Sequence, residues 1–462
     1  MPLTNMQVRD LENVVHPYTP LHKIRQTGPM MLDSGKGIFV RDDQGKEYIE
    51  AMSGLWCTGL GWGDEELIEA GIEQLRKLAY YHNFAGKGTE PQVALAEKLK
   101  EVAPVPISKV FFTSSGSEAN DTQIKLVWYY NNAIGRPKKK KIISRMKAYH
   151  GVTIASASLT GLPYNHIDWD LPLDFVKHTT CPHFYRFGEP GETEEDFVAR
   201  LVRDLEELIA REGPDTVAAF IAEPIMGAGG VLVPPETYFP AIQQVLDRHD
   251  ILLIDDEVIN GFCRTGNWWG AQTMNMKPHT ISSAKQLTSA YAPLGAVMIP
   301  DFMYEAMEQA SAKIGLFGHG FTYGGHPLGA AIGAKTLEIY QKRNILDHVR
   351  GVTPTFLKRL HALADHPLVG EARGRGLLGA AELVADKTTR RPFDPKAGVG
   401  AQCAKFMEKH GLIVRAIGES IALCPPMIIT EDEVGELFDR YERALDETEA
   451  WVNKEGLRAA AA

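Results

Sequence analysis

The sequence predicts an α/β protein with a mostly parallel sheet, helices on both of its faces, and a smaller α+β domain. Three observations lead there. From about 107 to 325 short apolar runs alternate with glycine-bearing turns and helical stretches, the rhythm of a parallel sheet covered on both sides. Beyond 326 that rhythm gives way to a mixture of strand-like and helical segments. The 462 residues, 44% of them hydrophobic, can bury more than one sizeable core.

Taken in order, "GIFVRDDQGKEYIEAM" has two β-prone runs around Asp42-Asp43-Gln44-Gly45, a hairpin signal. Residues 64–103 read as helical, most clearly in "PQVALAEKLKEVA". "KVFFTSS" followed by "GSEANDTQIKLVWYYNNAI" is a strand, turn and helix. "KKIISRM", "VAAFIAEPI" and "ILLIDDEV" are further strands, with "YFPAIQQVLDRHD" a helical connector. "HPLGAAIGAKTLEIYQKRN" predicts a long helix. In the tail, "GRGLLGAAELV" and "LIVRAI" are strand-like, while "GAQCAKFMEKHG" and "TEDEVGELFDRYERALDETEAW" are helical. The expected division is 1–60, joining the small domain; 61–325, the large α/β domain; and 326–462, the small α+β domain.

Composition excludes several functions. A net charge of -10 argues against nucleic-acid binding, and the one basic run, Lys138 to Lys141, reads as a solvated loop. Five cysteines, at 57, 181, 263, 403 and 424, are scattered and form no C-x-x-C pair, so neither disulfides nor a zinc site is expected. No apolar run reaches about 18 residues and the N-terminus lacks a basic-then-apolar signal. The expectation is a soluble, cytoplasmic enzyme without membrane contact.

Three sequence features converge on one chemistry. Ser114 to Ser117 follow an apolar run and open a helix, so Ser115, Gly116 and Ser117 can present N–H and hydroxyl donors to a phosphate. The loop is neither G-x-G-x-x-G nor a P-loop, so neither a dinucleotide nor ATP is indicated. Asp255 and Asp256 end the run "ILLI", and ligands gather beyond the carboxyl ends of parallel strands. A carboxylate there can keep a pyridine nitrogen protonated and the ring electron-withdrawing; strand alternation leaves open which aspartate faces the ligand. Metal binding is the rival, but "CPHFY" offers only one Cys and one His. Lys285, 29 residues after Asp256, follows the small-residue run "HTISSA". A lysine near a positive ring loses pKa and can attack an aldehyde. Phosphate loop, acid and lysine together point to a Schiff base with pyridoxal 5'-phosphate.

The chain closely resembles the class III aminotransferases of the omega-amino acid:pyruvate type, in the PLP-dependent transferase fold type I. The motifs in order are "SSGSEAN", "AYHG", "AEPIMGAGGV", "LLIDDEVINGFCRTGNWWGAQTMNMKPHTISSAKQLTSAYAPLGAV" and "FTYGGHP". The resemblance implies that Lys285 carries the cofactor covalently and that Asp256 partners its ring nitrogen. Val258 and Tyr149 would sandwich the ring, Gly116 and Ser117 would hold the phosphate, and Glu223 would orient the ring's hydroxyl side. Thr322 would reach the phosphate from the other subunit of a homodimer. Arg415 would take a substrate carboxylate with a bidentate fork, and Trp56, Phe84, Tyr149 and Ala228 would wall the substrate space. No metal is implied.

One departure bears on substrate. Relatives of the ornithine and γ-aminobutyrate type carry a glutamate in "EPIQGE" that can neutralise the substrate arginine; here "EPIMGA" puts Ala228 there. This resembles the pyruvate-dependent branch. The expected reaction moves an amino group from an amine or omega-amino acid to pyruvate, giving an aldehyde or ketone and L-alanine. The alternatives are an aminomutase or epimerase of the same fold, or a 2-oxoglutarate-dependent aminotransferase. Asp255, Asn260 and Cys263 also depart from the usual pattern without implying altered chemistry.

Overall fold

The computed structural model describes residues 3–459, so residues 1–2 and 460–462 at the ends of the first and last expected segments lie outside it. Its central sheet has seven strands: β1 (Lys109–Thr113), β2 (Lys141–Arg145), β3 (Val176–Thr179), β4 (Val217–Ala222), β5 (Leu252–Asp256), β6 (Thr280–Ser283) and β7 (Gly295–Ile299). Their order across the sheet is β1-β7-β6-β5-β4-β2-β3. The pairs β3–β2, β2–β4, β4–β5 and β5–β6 are parallel. Only β7 opposes its neighbours, β1 and β6. A parallel return needs a crossover of about a dozen residues or more, and between β6 and β7 the chain forms only the single turn Lys285–Thr288. The reversal therefore follows from the shortness of the segment that carries Lys285.

Every residue of β4, β5 and β7 is buried. Phe220, Leu253, Ile281 and Met298 face one apolar cluster, while Ile221, Ile254, Val297 and Ile299 face another. Helices thus cover both faces, the α/β architecture expected. Nothing in the motif reading marked β3, whose sequence Val-Lys-His-Thr is too polar to stand out.

The C-terminal part builds a four-stranded antiparallel sheet from Val369–Arg375, Leu378–Leu383, Ser420–Leu423 and Arg415–Ile417. Here two expected strands divide. "GRGLLGAAELV" is a hairpin turning at Gly376, where φ is +56° and a Cβ would lie 2.4 Å from the Arg264 carbonyl; only glycine fits that turn. "LIVRAI" breaks at Val414. Leu412–Ile413 runs parallel to Glu47–Glu50 of the N-terminal meander, and Arg415–Ile417 joins the other sheet. The break aims Arg415 into a different sheet from the residues just before it.

The basic run is only in part the solvated loop expected: Lys138 is exposed in a loop, but its neighbours are tied down. Lys139 is 7% exposed and its Nζ caps the carbonyls of His249 and Asp250. Lys141 lies in β2 and pairs with Glu212 at 3.0 Å. These lysines close the amino end of the sheet. All five cysteines are unbridged, and among the described residues no helix is long and apolar enough to cross a membrane.

Glu50 ends its strand buried, one oxygen accepting from the N–H groups of Gly54 (2.7 Å) and Met52 (3.3 Å). Burial pushes its carboxyl up to about 8, against those two donors. The folded state therefore holds a proton that the unfolded chain has released. This stabilises the fold below the ordinary value of 4.5 and is lost as pH rises toward 8. Glu50→Gln keeps an acceptor for both amides and removes the ionisation. Thermal denaturation of the two proteins should differ little at pH 5, and the variant should melt a few degrees higher at pH 8.5. An equal offset at both pH values would contradict this assignment.

Candidate active site

A cavity of about 420 Å³ opens beyond the carboxyl ends of β5 and β6, where the two parts of the sheet diverge around the short turn. Its floor is Asp256. One of its oxygens, Oδ2, accepts from Asn120 Nδ2 at 2.7 Å and from His150 Nδ1 at 2.8 Å. The other, Oδ1, accepts from the N–H of Val258 at 3.1 Å. A carboxylate only accepts, so the proton on His150 sits at Nδ1. Asp256 is 3% exposed and lines the cavity; Asp255 is buried and does not line it. That settles what strand alternation left open.

The anion end is the start of the helix Gly116–Ala133. Ser115 is its N-cap, its Oγ accepting from the N–H of Glu118 at 3.2 Å. Ser114 N–H donates to Glu118 Oε2 at 2.7 Å. Gly116 lies against Val258, and a Cβ there would come within 3.0 and 3.1 Å of the valine methyls. Ser117 Oγ accepts from Val152 N–H at 3.1 Å. The half-buried first turn of an 18-residue helix, open to the cavity, is a site of positive potential.

Glu223, just past β4, is tied down on both oxygens, by Tyr149 N–H at 3.0 Å and Gly227 N–H at 2.9 Å. Burial raises its pKa. Tyr149 and Val258 both line the cavity. Lys285 begins the turn after β6 with φ +50°, a conformation rare for a residue with a side chain. Its Nζ makes no hydrogen bond to any described residue. Burial lowers its pKa, and nearby Arg415 acts in the same direction, while Cys57, Asp256 and Glu223 oppose them.

Trp56, Ala228 and Arg415 complete one wall. Trp56 ends a kinked segment with φ +64°, its buried Nε1 unpaired. Phe84 and Thr322 are not brought in. Phe84 is 45% exposed, packed by Gly320, and the exposed Thr322 accepts at its carbonyl from Tyr80 Oη. Neither lines this cavity.

Several lining residues were not among the expected ones, and Asn120, His150 and Tyr18 stand out among them. Asn120 lies one helical turn from Gly116, an i, i+4 spacing that could have found it. His150 follows Tyr149 directly. Tyr18 comes from the N-terminal segment and is held by Asn165 Nδ2 at 2.6 Å; no local pattern marked it.

These residues fit pyridoxal phosphate. A buried carboxylate faces the cavity, a helix start offers N–H groups to the phosphate, and a half-buried lysine without a hydrogen-bond partner among the described residues stands among them. Asn120→Ala removes one of three donors to Asp256 and should weaken cofactor retention about 10-fold, the effect of one lost bond to a charge. Titration of the cofactor-free protein, followed by visible absorbance, measures it; unchanged affinity would remove Asn120 from the cradle.

Residues 22–445 match the family model described as aminotransferase class-III. The chain is 48% identical to gamma aminobutyrate transaminase 3, chloroplastic, of Solanum lycopersicum, over 96% of this chain and 85% of that one. It is 49% identical to gamma-aminobutyrate transaminase 1, mitochondrial, of Oryza sativa subsp. japonica, over 94% and 85%. The solved omega transaminase from Pseudomonas jessenii in complex with PMP superposes with a TM-score of 0.96 at 48% identity, covering 97% of this chain and 99% of that one. The cytoplasmic expectation is corrected by these relatives, which are named as chloroplastic or mitochondrial proteins. The motifs that carry the match describe a catalytic site and gave no warrant for a compartment. With a family match across most of its length, this fold and this site, the chain belongs to the class-III aminotransferases, PLP-dependent transaminases of fold type I.

Proposed function

We propose that the protein is an omega-transaminase that moves an amino group from an amine or omega-amino acid to pyruvate, releasing an aldehyde or ketone and L-alanine. The observation that carries this reading is the pair Ala228 and Arg415. Both line the cavity, the alanine methyl offers no counter-charge, and Arg415 makes no ion pair with any described carboxylate. A small keto acid supplies the missing anion, and the fork of the guanidinium suits it. The names of the plant and bacterial relatives, gamma-aminobutyrate transaminase and omega transaminase, are consistent with a donor whose amine lies away from any α-carboxylate.

Bound pyridoxal phosphate supplies a protonated pyridine that withdraws electrons from the carbon bearing the amine. Asp256, fixed by Asn120, His150 and Val258 N–H, holds that ring nitrogen in its charged form. Tyr149 and Val258 fix the ring plane, Glu223 orients its hydroxyl side, and Ser115, Gly116 and Ser117 hold the phosphate. Lys285 Nζ, with its pKa lowered by burial, is available as a neutral amine to take the proton from the donor carbon. Trp56 and Tyr149 wall the donor's apolar part.

The active form in this reading is a homodimer. Phe84 and Thr322 stand on one exposed face with Tyr80, Tyr81, Leu316 and Tyr323, an apolar surface of the kind that pairs with a second copy. From there Thr322 reaches the partner's phosphate and Phe84 the partner's substrate wall.

The deciding experiment offers a panel of amines with pyruvate or 2-oxoglutarate and quantifies alanine and glutamate. Faster alanine formation is expected; a preference for 2-oxoglutarate, or turnover without any keto acid, overturns the acceptor assignment. Lys285→Ala should lose turnover and the visible absorption of the bound cofactor. Arg415→Leu should lower kcat/KM for pyruvate about 100-fold, as loss of a charge-assisted pair does, and change the rate with an amine lacking a carboxylate far less.

A further inference from the structure

Outside the cavity, a buried charged assembly is centred on Arg373. It lies in the Val369–Arg375 strand and is 7% exposed. Nε donates to the carbonyls of Gly230 and Val231, both at 3.1 Å. Nη2 donates to the Gly230 carbonyl at 2.6 Å and to Ser420 Oγ at 2.9 Å. Nη1 donates to Glu371 and to Glu382, the latter at 2.7 Å. The same two carboxylates meet His183 and Arg186 on the other side. His183, Glu371 and Glu382 lie close enough to hold a cation, but Arg373 and Arg186 already neutralise both acids.

The three partners of the guanidinium that are not acids, Gly230, Val231 and Ser420, belong to two different segments. Gly230 and Val231 close the loop that runs from Glu223 through Ala228, bridged by Met226 and Leu232. Ser420 opens the strand paired with Arg415–Ile417, Ser420 opposite Ile417 and Ala422 opposite Arg415. The loop is also strained. Val231 has φ +52°, a true outlier for a β-branched residue, and such strain persists only where surrounding contacts over-determine it. Gly230, with φ +118°, lets its carbonyl approach, since a Cβ there would meet Ser420 Oγ at 3.1 Å and Arg373 Nη2 at 3.2 Å. One planar fork therefore holds both the loop that bears Ala228 and the hairpin that bears Arg415.

We propose that Arg373 is a positioning residue for the carboxylate-binding step: it fixes Arg415 relative to Ala228 and so sets the affinity for the keto acid without touching it. The proposal rests on the reading of Arg415 as the carboxylate ligand. Lysine in place of Arg373 keeps the charge but has no planar fork to reach the loop and Ser420 together. Misplacement by about 1 Å can cost on the order of 100-fold in rate.

The test separates the half-reactions by following the cofactor absorbance of the holoenzyme, first with a simple arylalkylamine and then with pyruvate. For Arg373→Lys, KM for pyruvate should rise about 10-fold, while kcat, the amine half-reaction and cofactor affinity stay within about 3-fold of wild type. Ser420→Ala, which removes one bond and leaves the buried charges paired, should raise KM for pyruvate about 3-fold; it carries the test if the Arg373 variant does not fold. Equal losses in both half-reactions, or an unchanged KM in Ser420→Ala with intact Arg373, overturn the proposal in favour of a purely structural role. Arg415→Leu runs alongside. If it leaves the KM for pyruvate unchanged, the reading of Arg415 fails; if it raises that KM while the other variants do not, only the positioning role fails.

Discussion

Asp256 imposes the constraint on which the site depends: a carboxylate that must stay negative at the end of a buried strand. Taking such a charge from water costs several kcal/mol unless hydrogen bonds replace the lost solvent. Four acids crowd this region. Glu223 has two backbone donors and Glu257 has two, from Gly270 and Ala271. Asp255 has none among the described residues, and burial holds Glu223, Asp255 and Glu257 above their ordinary range. Asp256 alone has three donors. Its neighbours relieve the crowding by holding protons more tightly, and Asp256 is the one of the four that combines three donors with a face on the cavity.

That requirement propagates outward. Asn120 Nδ2 donates also to the His150 carbonyl at 2.7 Å, and His150 N–H donates to Thr160 Oγ1 at 2.9 Å. The phosphate-side helix and the Tyr149–Gly151 loop are thus fastened to each other through the same atoms that hold Asp256. The lysine is placed by a different device. With only a short link between β6 and β7, the chain must reverse at once, and Lys285, Ser289 and Ala290 all take positive φ. Strain of about 1–3 kcal/mol at such a residue is tolerable when the surrounding core holds it. The return strand β7 is buried along its whole length and supplies that support.

The sequence made the cofactor side legible because its residues lie in short contiguous motifs: a strand end supplies the acid, the next turn the lysine, a helix start the phosphate donors. Each is local, and each has a chemistry that survives being read alone. The substrate side was harder to read. Tyr18 reaches the cavity from a segment with no pattern, and Arg415 is aimed by a strand break at Val414 that "LIVRAI" does not announce. The helix Ile345–Ala362 escaped notice because Gly351 and Pro354 are helix breakers; five buried apolar residues along one face hold it regardless. Lys139, the buried lysine of the 138–141 run, was misread for a related reason. A charge reads as solvated until a distant carbonyl is known to cap it.

This division has a physical consequence. The groups proposed to hold the cofactor are anchored around one central sheet, whereas the proposed substrate walls come from the N-terminal segment, the Ala228 loop and a hairpin of the second sheet. A change in the sheet disturbs Asp256 and every reaction the site performs. A change in the walls alters only which carboxylate or alkyl group fits beside Lys285. The contacts that align those walls with the sheet are few, polar and buried, and they include the Arg373 fork. Because a buried arginine with six accepting contacts cannot move without breaking several at once, the relative placement of Ala228 and Arg415 has few alternatives. In the proposed reading, acceptor choice then depends on how rigidly the backbones of Ala228 and Arg415 are held together as well as on the two side chains themselves.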